Sequence, residues 1–224
     1  MKRPPFDAII FDLDGTLIDT ETADFTACRL LYQEFGAALT LEYWAARIVG
    51  IVDGYDELFD ELVQWSNNGL TKAGLRQRIN QLWDLTLQDL TLMPGVEDLL
   101  PKLHTAGYPL AIATASDRAW ADRWLTHFGL SSYFRAIATG EDIVNNKPEP
   151  DVYLFAAAQL GVKPKACLVF EDSQAGTQSA KAAGMTVVAV PSPITQSLDF
   201  SQADEIIFGL QNVSVEWIEA LKGI

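Results

Sequence analysis

The feature that most constrains the fold of this chain is a regular alternation of short apolar runs with helix-like segments after residue 94. Residues 109–114 (PLAIAT) and 166–170 (ACLVF) are examples of these continuous apolar runs. Continuous runs are typical of strands buried on both faces, and a parallel sheet covered by helices provides that burial. The sequence therefore predicts an α/β fold. The predicted strands are residues 6–11, 109–114, 136–139, 166–170, 186–190 and 205–208.

A helix-like block separates the first apolar run from the others. Within it, apolar residues recur at the three- and four-residue spacing of amphipathic helices, and no strand pattern interrupts them. The turns of this block are predicted at Gly50, Gly54 and Gly69. We therefore predict a Rossmann-like core domain formed by residues 1–18 and 91–224, with an inserted all-α cap domain over residues 19–90.

The reactive residue types are concentrated at the carboxyl ends of the predicted strands. These residues are Asp12 and Asp14 after the first strand, Thr114, Ala115 and Ser116 after the second, Lys147 after the third, and Glu171 and Asp172 after the fourth. In an open parallel sheet these strand ends share one edge, and ligands bind there. The sequence therefore predicts one site built from positions that are far apart in the chain.

Four carboxylates, those of Asp12, Asp14, Glu171 and Asp172, would repel one another at this edge. A hard divalent cation relieves such repulsion, and Mg²⁺ prefers one or two carboxylates together with water and substrate phosphate. We therefore expect a magnesium site.

Phosphate is the ligand that suits the remaining groups. Lys147 supplies a positive charge, and the turn over residues 114–116 supplies hydroxyl and backbone N–H groups for phosphate oxygens. A carboxylate beside Mg²⁺ and a lysine can attack phosphorus, as Asp12 could. Asp14, two positions further on, could exchange protons with the leaving oxygen and then with water.

The net charge narrows the range of partners. The chain has 16 Lys plus Arg against 30 Asp plus Glu, a net charge of −14. An acidic surface disfavours nucleic acid and anionic membranes, and no run reaches the length of a membrane span. Two cysteines are too few for a disulfide framework. We expect a monomeric cytoplasmic protein whose partner is a small phosphorylated metabolite.

The motifs, taken in order, resemble those of the haloacid dehalogenase superfamily. Its four motifs are matched by residues 12–17 (DLDGTL), Thr114, Lys147-Pro148 and Glu171-Asp172, and its helical cap by the block after the first motif. The stretches at 147–151 (KPEPD) and 170–176 (FEDSQAG) look like the branch of sugar-phosphate phosphatases and β-phosphoglucomutases.

This resemblance implies a role for each site residue. Asp12 would be the nucleophile and Asp14 the general acid/base, and Thr114 and Lys147 would bind the transferring phosphate. Mg²⁺ would be held by the Asp12 carboxylate, the Asp14 backbone carbonyl and Asp172, with Glu171 bound to the metal or just behind its ligands. The dehalogenases proper lack the second acidic residue of the first motif, so Asp14 argues against that activity.

Phosphatase and mutase chemistry are harder to separate. β-Phosphoglucomutases of this branch usually have Val, His and a cap Arg where this chain has Thr16, Asp24 and Asp53. We therefore expect a Mg²⁺-dependent phosphatase that hydrolyses a small phosphate monoester, with a β-phosphoglucomutase-type mutase as the alternative.

Other interpretations are weaker. A phospho-accepting receiver domain also places acids, Thr and Lys at strand ends, but it is much shorter and has no helical insertion. An inactive relative that serves as a binding module would have lost Asp12 or Asp172, and both are present. Locally, Ser116-Asp117 and Asp172-Ser173 are also suited to helix N-caps.

Overall fold

A computed structural model describes residues 5–49, 54–65 and 70–221 of the chain. In these ranges the strands form one parallel six-stranded sheet in the order β3-β2-β1-β4-β5-β6. The strands are β1 (Ala8–Phe11), β2 (Leu110–Ala113), β3 (Phe134–Ala138), β4 (Cys167–Glu171), β5 (Thr186–Ala189) and β6 (Glu205–Ile206). The predicted Rossmann-like α/β fold is confirmed.

Burial explains which predicted strands form in full. β1 and β4 lie side by side in the centre, and every residue of both is buried. β6 lies at the edge and has only two residues, although the apolar run predicted a strand over 205–208. Phe208, which follows this edge strand, is 69% exposed.

Helices cover both faces of the sheet. They are α5 (Val96–Thr105), α6 (Arg118–His127), α7 (Asp151–Leu160), α8 (Gln174–Ala182) and α9 (Val215–Ala220). Single 3-10 turns occur at Leu87–Asp89, Ser131–Tyr133, Gly140–Asp142, Pro164–Ala166 and Leu210–Asn212. Side chains alternate along each strand, so Ile9 and Phe11 of β1 join one apolar cluster while Ala8 and Ile10 join another.

The block between β1 and α5 is helical, as predicted. It contains α1 (Thr20–Glu34), α2 (Leu41–Ile48), α3 (Gly54–Trp65) and α4 (Lys72–Thr86). These helices bury an apolar cluster of their own, centred on residues such as Trp44 and Phe59, to which Ile194 of the sheet domain adds. The division into a core domain of residues 1–18 and 91–224 and a cap domain of residues 19–90 stays a prediction.

The turns of this block are described only in part. The predicted turns at Gly50 and Gly69 lie outside the described residues, and so does Asp53. Gly54 is the first residue of α3 rather than part of a turn. A Cβ at this position would lie 2.0 Å from the Arg47 carbonyl oxygen, so the glycine lets α3 begin against the end of α2.

Two paired chain segments connect the helical block to the sheet. The Asp19 backbone N–H donates to the Thr91 carbonyl at 2.9 Å, and the Met93 N–H donates to the Leu17 carbonyl at 2.9 Å. Ile18 and Leu92 form an antiparallel bridge between these two bonds. The helical block is thus inserted through one narrow, hydrogen-bonded neck.

Candidate active site

A cavity of about 440 Å³ lies between the carboxyl ends of the central strands and the helical block. The structure brings together the predicted site residues that line it: Asp12, Asp14, Thr114, Ala115, Ser116, Lys147 and Asp172. Glu171 is fully buried next to this group. The strand order places β1 between β2 and β4, where the connections diverge to opposite sides of the sheet, as expected for a ligand site.

The first motif sits on a tight turn after β1. The Asp12 N–H donates to the Phe170 carbonyl at 3.0 Å and extends the ladder to β4, while Asp14 lies beyond the strand. Gly15 has φ = +78°, a conformation that favours glycine. A Cβ there would also lie 2.1 Å from Asp172 Oδ2, so the turn approaches Asp172 too closely for any side chain.

Lys147 joins two buried carboxylates. Its Nζ lies 2.5 Å from Asp12 Oδ1 and 2.6 Å from Glu171 Oε1. Burial raises the pKa of Asp12 to about 8, an effect that the Lys147 ammonium opposes. Burial also acts to lower the pKa of Lys147, but the two carboxylates outweigh it and raise that pKa above its ordinary value. Lys147 is therefore a fixed cation beside Asp12.

Glu171 is held from several directions. Its Oε1 also accepts from the Tyr153 hydroxyl at 2.9 Å. Its Oε2 accepts from the Ser173 backbone N–H and from the Ser173 hydroxyl, both at 2.9 Å. This carboxylate therefore links Lys147 to β4 and to the start of α8, which Ser173 rather than Asp172 caps.

The cluster formed by Asp12, Glu171 and Asp172 is suited to a divalent cation. Ligand oxygens of Asp12, Glu171 and Asp172 lie within 4.8 Å of one another. Asp172 is 1% exposed, and its Oδ1 accepts from the Thr16 hydroxyl at 3.3 Å. Its Oδ2 is buried and bonds to no donor in the described part of the chain, an arrangement that costs free energy unless a cation compensates. Burial, with Glu21 and Glu171 nearby, raises the pKa of Asp172 well above its ordinary value.

Asp14 bonds to residues that follow β2 and is not part of the cluster formed by Asp12, Glu171 and Asp172. Its Oδ2 accepts from the Ser116 hydroxyl at 2.7 Å and from the Thr114 hydroxyl at 3.2 Å. Its Oδ1 accepts from Trp120 Nε1 at 2.8 Å. Asp14 is half-buried, so its carboxylate is fixed at the cavity wall with access to the interior. The predicted metal contact through its backbone carbonyl stays a prediction.

Sequence analysis missed several residues that complete the site. Trp120 lies in the first turn of α6, three positions after its N-cap Asp117, and Tyr153 lies in the first turn of α7. Each lies at the start of a helix that follows a strand end, but the direction of its side chain depends on how that helix packs, so no local pattern in the sequence identifies it. Asp117 caps α6 through the Trp120 backbone N–H, as expected, whereas Ser116 bonds to Asp14 instead.

The helical block adds a polar cluster to the cavity wall. Asp24 Oδ1 accepts from Trp83 Nε1 at 2.7 Å and from the Tyr55 hydroxyl. Burial raises the pKa of Asp24 to about 6, and the bonds from Tyr55 and Trp83 oppose that rise. Glu21 also lines the cavity, and burial together with the charges of Asp24 and Asp14 raises its pKa.

Comparison with known proteins assigns the family. The model of haloacid dehalogenase-like hydrolases matches residues 9–190. The chain belongs to this family. It is 32% identical to fructose-1-phosphate phosphatase YqaB of Escherichia coli, over 81% of this chain and 95% of the relative. It is also 32% identical to hexitol phosphatase B of E. coli, over 85% of this chain and 86% of the relative.

The structural comparison agrees with this family. A crystal structure of β-phosphoglucomutase from Clostridium difficile matches with a TM-score of 0.74 and 26% identity, over 96% of each chain. The predicted resemblance to the β-phosphoglucomutase-like branch is confirmed, and the names of the relatives agree with the predicted class of phosphoric monoester hydrolase. Across the described ranges, no helix has both the length and the apolar character needed to cross a bilayer.

Proposed function

We propose that this protein is a Mg²⁺-dependent phosphatase that hydrolyses a small sugar-type phosphate monoester through an aspartyl-phosphate on Asp12. The observation that carries the proposal is the geometry of Asp12. Its carboxylate lies at the end of the central strand, bonds to Lys147 and faces a cavity whose wall holds Asp14. The names of the two phosphatase relatives support the choice of a sugar-type phosphate.

In the first half of the reaction, an Asp12 carboxylate oxygen attacks phosphorus. The bond from phosphorus to the ester oxygen breaks, and protonated Asp14 gives its proton to that leaving oxygen. The products are the free alcohol and an aspartyl-phosphate. Lys147, together with hydroxyl and backbone N–H groups of residues 114–116, faces the charge on the transferring phosphoryl group.

In the second half, Asp14 is an ionised base. It takes a proton from water, whose oxygen attacks phosphorus and displaces Asp12. Inorganic phosphate leaves, and Asp12 and Asp14 return to their starting states. The hydrogen bonds from Thr114, Ser116 and Trp120 hold Asp14 at the cavity wall for both proton transfers.

The metal would be held by Asp12 and Asp172, with the Asp14 backbone carbonyl as a further ligand. Bound Mg²⁺ supplies positive charge that keeps these carboxylates ionised and offsets the charge of the phosphoryl group. We assign Glu171 to positioning Lys147, because both of its oxygens already accept hydrogen bonds from protein donors.

The mutase alternative has structural likeness in its favour, since β-phosphoglucomutase shares the fold. A mutase needs a place for a second phosphate. Asp24 occupies the position of the usual His and lines the cavity with a carboxylate, which suits a hydroxyl better than a phosphate. The cap-turn position Asp53 lies outside the described residues. We therefore favour hydrolysis.

The proposed function also assigns a role to the helical block, a cellular location and a partner. Residues 19–90 would act as a cap that closes over the substrate and excludes bulk water. Cys28 and Cys167 are buried and unpaired with each other, which suits a reducing, cytoplasmic location. The proposed partner is the small phosphorylated metabolite alone, and the protein is expected to be a monomer.

Phosphate release tests this function. The purified protein is incubated with fructose 1-phosphate, hexitol phosphates, glycerol phosphates and p-nitrophenyl phosphate, with Mg²⁺ or with EDTA. We expect release that requires Mg²⁺ and that falls strongly in Asp14→Asn. Isomerisation of β-glucose 1-phosphate without phosphate release would instead establish the mutase, and inactivity toward every ester would refute the proposal.

A further inference from the structure

The helical side of the cavity carries a carboxylate that the proposed chemistry does not use. Asp24 lies on α1, and the residues bonded to it, Tyr55 and Trp83, lie on α3 and α4. All three side chains line the same cavity as Asp12 and Asp14. With the phosphoryl group at Asp12, as the proposed function has it, a carboxylate on the helical side of the cavity would face the leaving group.

The two oxygens of Asp24 differ in their surroundings. Oδ1 accepts from Tyr55 and Trp83 and also lies 3.7 Å from the Cys28 thiol. All the hydrogen bonds that this carboxylate accepts within residues 5–49, 54–65 and 70–221 go to Oδ1, and none goes to Oδ2. One oxygen therefore fixes the orientation of the group, and the other is free to accept a hydrogen bond from a ligand.

The balance of charge around the cavity restricts that ligand. Among the described lining residues, six carry carboxyl groups: Asp12, Asp14, Glu21, Asp24, Asp117 and Asp172. In the same set Lys147 is the only cation, and it already bonds to Asp12 and Glu171. A second phosphate on the helical side would meet Asp24 and Glu21, and the described lining residues offer no unpaired cation to balance it.

We propose that Asp24 is a specificity-determining residue that accepts a hydrogen bond from a hydroxyl of the leaving group and excludes leaving groups with a second phosphate. This inference rests on the proposed phosphatase function and adds a substrate class to it, polyhydroxylated monophosphates. The acceptor selects hydroxyls, and the negative charge rejects phosphates, so one side chain accounts for both preferences.

A conservative substitution separates recognition from packing. Asp24→Asn keeps an oxygen that can accept from Tyr55 and Trp83, but it places an amide donor where Oδ2 was and removes the charge. Asp84→Asn is the matched control, since Asp84 is an exposed carboxylate on α4 next to Trp83 and does not line this cavity.

Three substrates measure separately the preference for a hydroxyl on the leaving group and the rejection of a second phosphate. Fructose 1-phosphate and fructose 1,6-bisphosphate differ by the second phosphate, and p-nitrophenyl phosphate has no hydroxyl on its leaving group. In Asp24→Asn we expect kcat/KM for fructose 1-phosphate to fall about tenfold relative to p-nitrophenyl phosphate, as for the loss of one charged hydrogen bond. The preference for the monophosphate over the bisphosphate should narrow, and Asp84→Asn should leave both ratios unchanged.

The possible results distinguish a failure of the inference about Asp24 from a failure of the proposed phosphatase function. If no substrate releases phosphate with the unmodified enzyme, the proposed function and the inference both fail. If Asp24→Asn changes neither ratio of kcat/KM, whether or not the activity on all three substrates falls, Asp24 has a structural role and the inference alone fails. The unmodified enzyme gives a second test that needs no variant, because equal kcat/KM for the mono- and bisphosphate would also overturn the inference.

Discussion

At the scale of single residues, the position of Asp14 depends on a tryptophan that has no reactive chemistry of its own. Trp120 Nε1 donates to Asp14 Oδ1 at 2.8 Å, on the side of the carboxylate opposite to Thr114 and Ser116. A general acid must keep its oxygen in line with the leaving group, so the loss of this bond affects the rate more than binding.

We predict that Trp120→Phe lowers kcat about tenfold and leaves KM nearly unchanged, because the variant loses one hydrogen bond to a charged group. Steady-state kinetics on one ester measures this split. Trp124→Phe is the matched control on the same helix, since Trp124 Nε1 has no hydrogen-bond partner within the described residues. Equal losses in both variants would show that α6 packing, rather than the bond to Asp14, sets the rate.

The residues that sequence reasoning found and those it missed differ in a physical way. Asp12, Asp14, Lys147 and Asp172 could be predicted, because each follows a strand and the carboxyl ends of parallel strands share an edge. The partners Trp120 and Tyr153 lie on helices, and their contact with the site depends on helix rotation and side-chain direction. Those are set by tertiary packing, which no local pattern specifies.

At the scale of elements, the strand and helix order follows from apolar periodicity, and the exceptions lie where burial ends. The runs at 6–11 and 166–170 predict β1 and β4, since they are apolar apart from Asp7, and both strands are fully buried. The run at 205–208 has three apolar residues after Glu205 but forms a strand of only two residues at the edge of the sheet, where Phe208 is exposed. Edge location is a property of the sheet that a single run cannot reveal.

The stability of the helical block should depend on the apolar cluster that helices α1–α4 bury. Trp44 is fully buried on α2 and contacts the Phe25 ring, with centroids 5.4 Å apart. We predict that Trp44→Ala lowers the free energy of unfolding by about 3–5 kcal/mol. Hydrogen exchange should accelerate in α1–α4 before it does in β1 and β4, because the two clusters are separate.

Trp65→Ala provides the comparison for this prediction. Trp65 lies on α3 of the same block but is 59% exposed, so its loss should cost less than about 1 kcal/mol in urea unfolding. If Trp44→Ala accelerated exchange equally in the central strands, the helical block would not be a separate unit, and its assignment as a cap would fail.

At the scale of the whole molecule, an acidic chain must still bind an anionic substrate. The net charge is −14, and the one lysine in the described cavity wall is already paired with Asp12 and Glu171. A metal ion at Asp12 and Asp172 resolves this conflict, because it adds positive charge where the phosphate must lie. Metal binding should therefore stabilise the folded protein as well as permit catalysis.

We predict that Mg²⁺ raises the thermal unfolding midpoint of the protein in the absence of substrate. At a concentration of 100 times Kd, the stabilisation should be about 2.7 kcal/mol. Asp172→Asn should lose most of this increase, since it removes a charged ligand oxygen, while Asp204→Asn, which directly precedes β6 and does not line the cavity, should keep it. A midpoint that rises equally in Asp172→Asn would place the metal elsewhere.

The central claim is that the phosphoryl group passes through Asp12. Rapid acid quench of a single turnover, followed by mass spectrometry of the peptide that contains residue 12, detects a phosphoryl group on that carboxylate. We expect the modified peptide to appear and decay at the rate of phosphate release, and to be absent in Asp12→Asn, which should release no phosphate. Phosphate release by Asp12→Asn at the unmodified rate, with no modified peptide in either protein, would contradict the account.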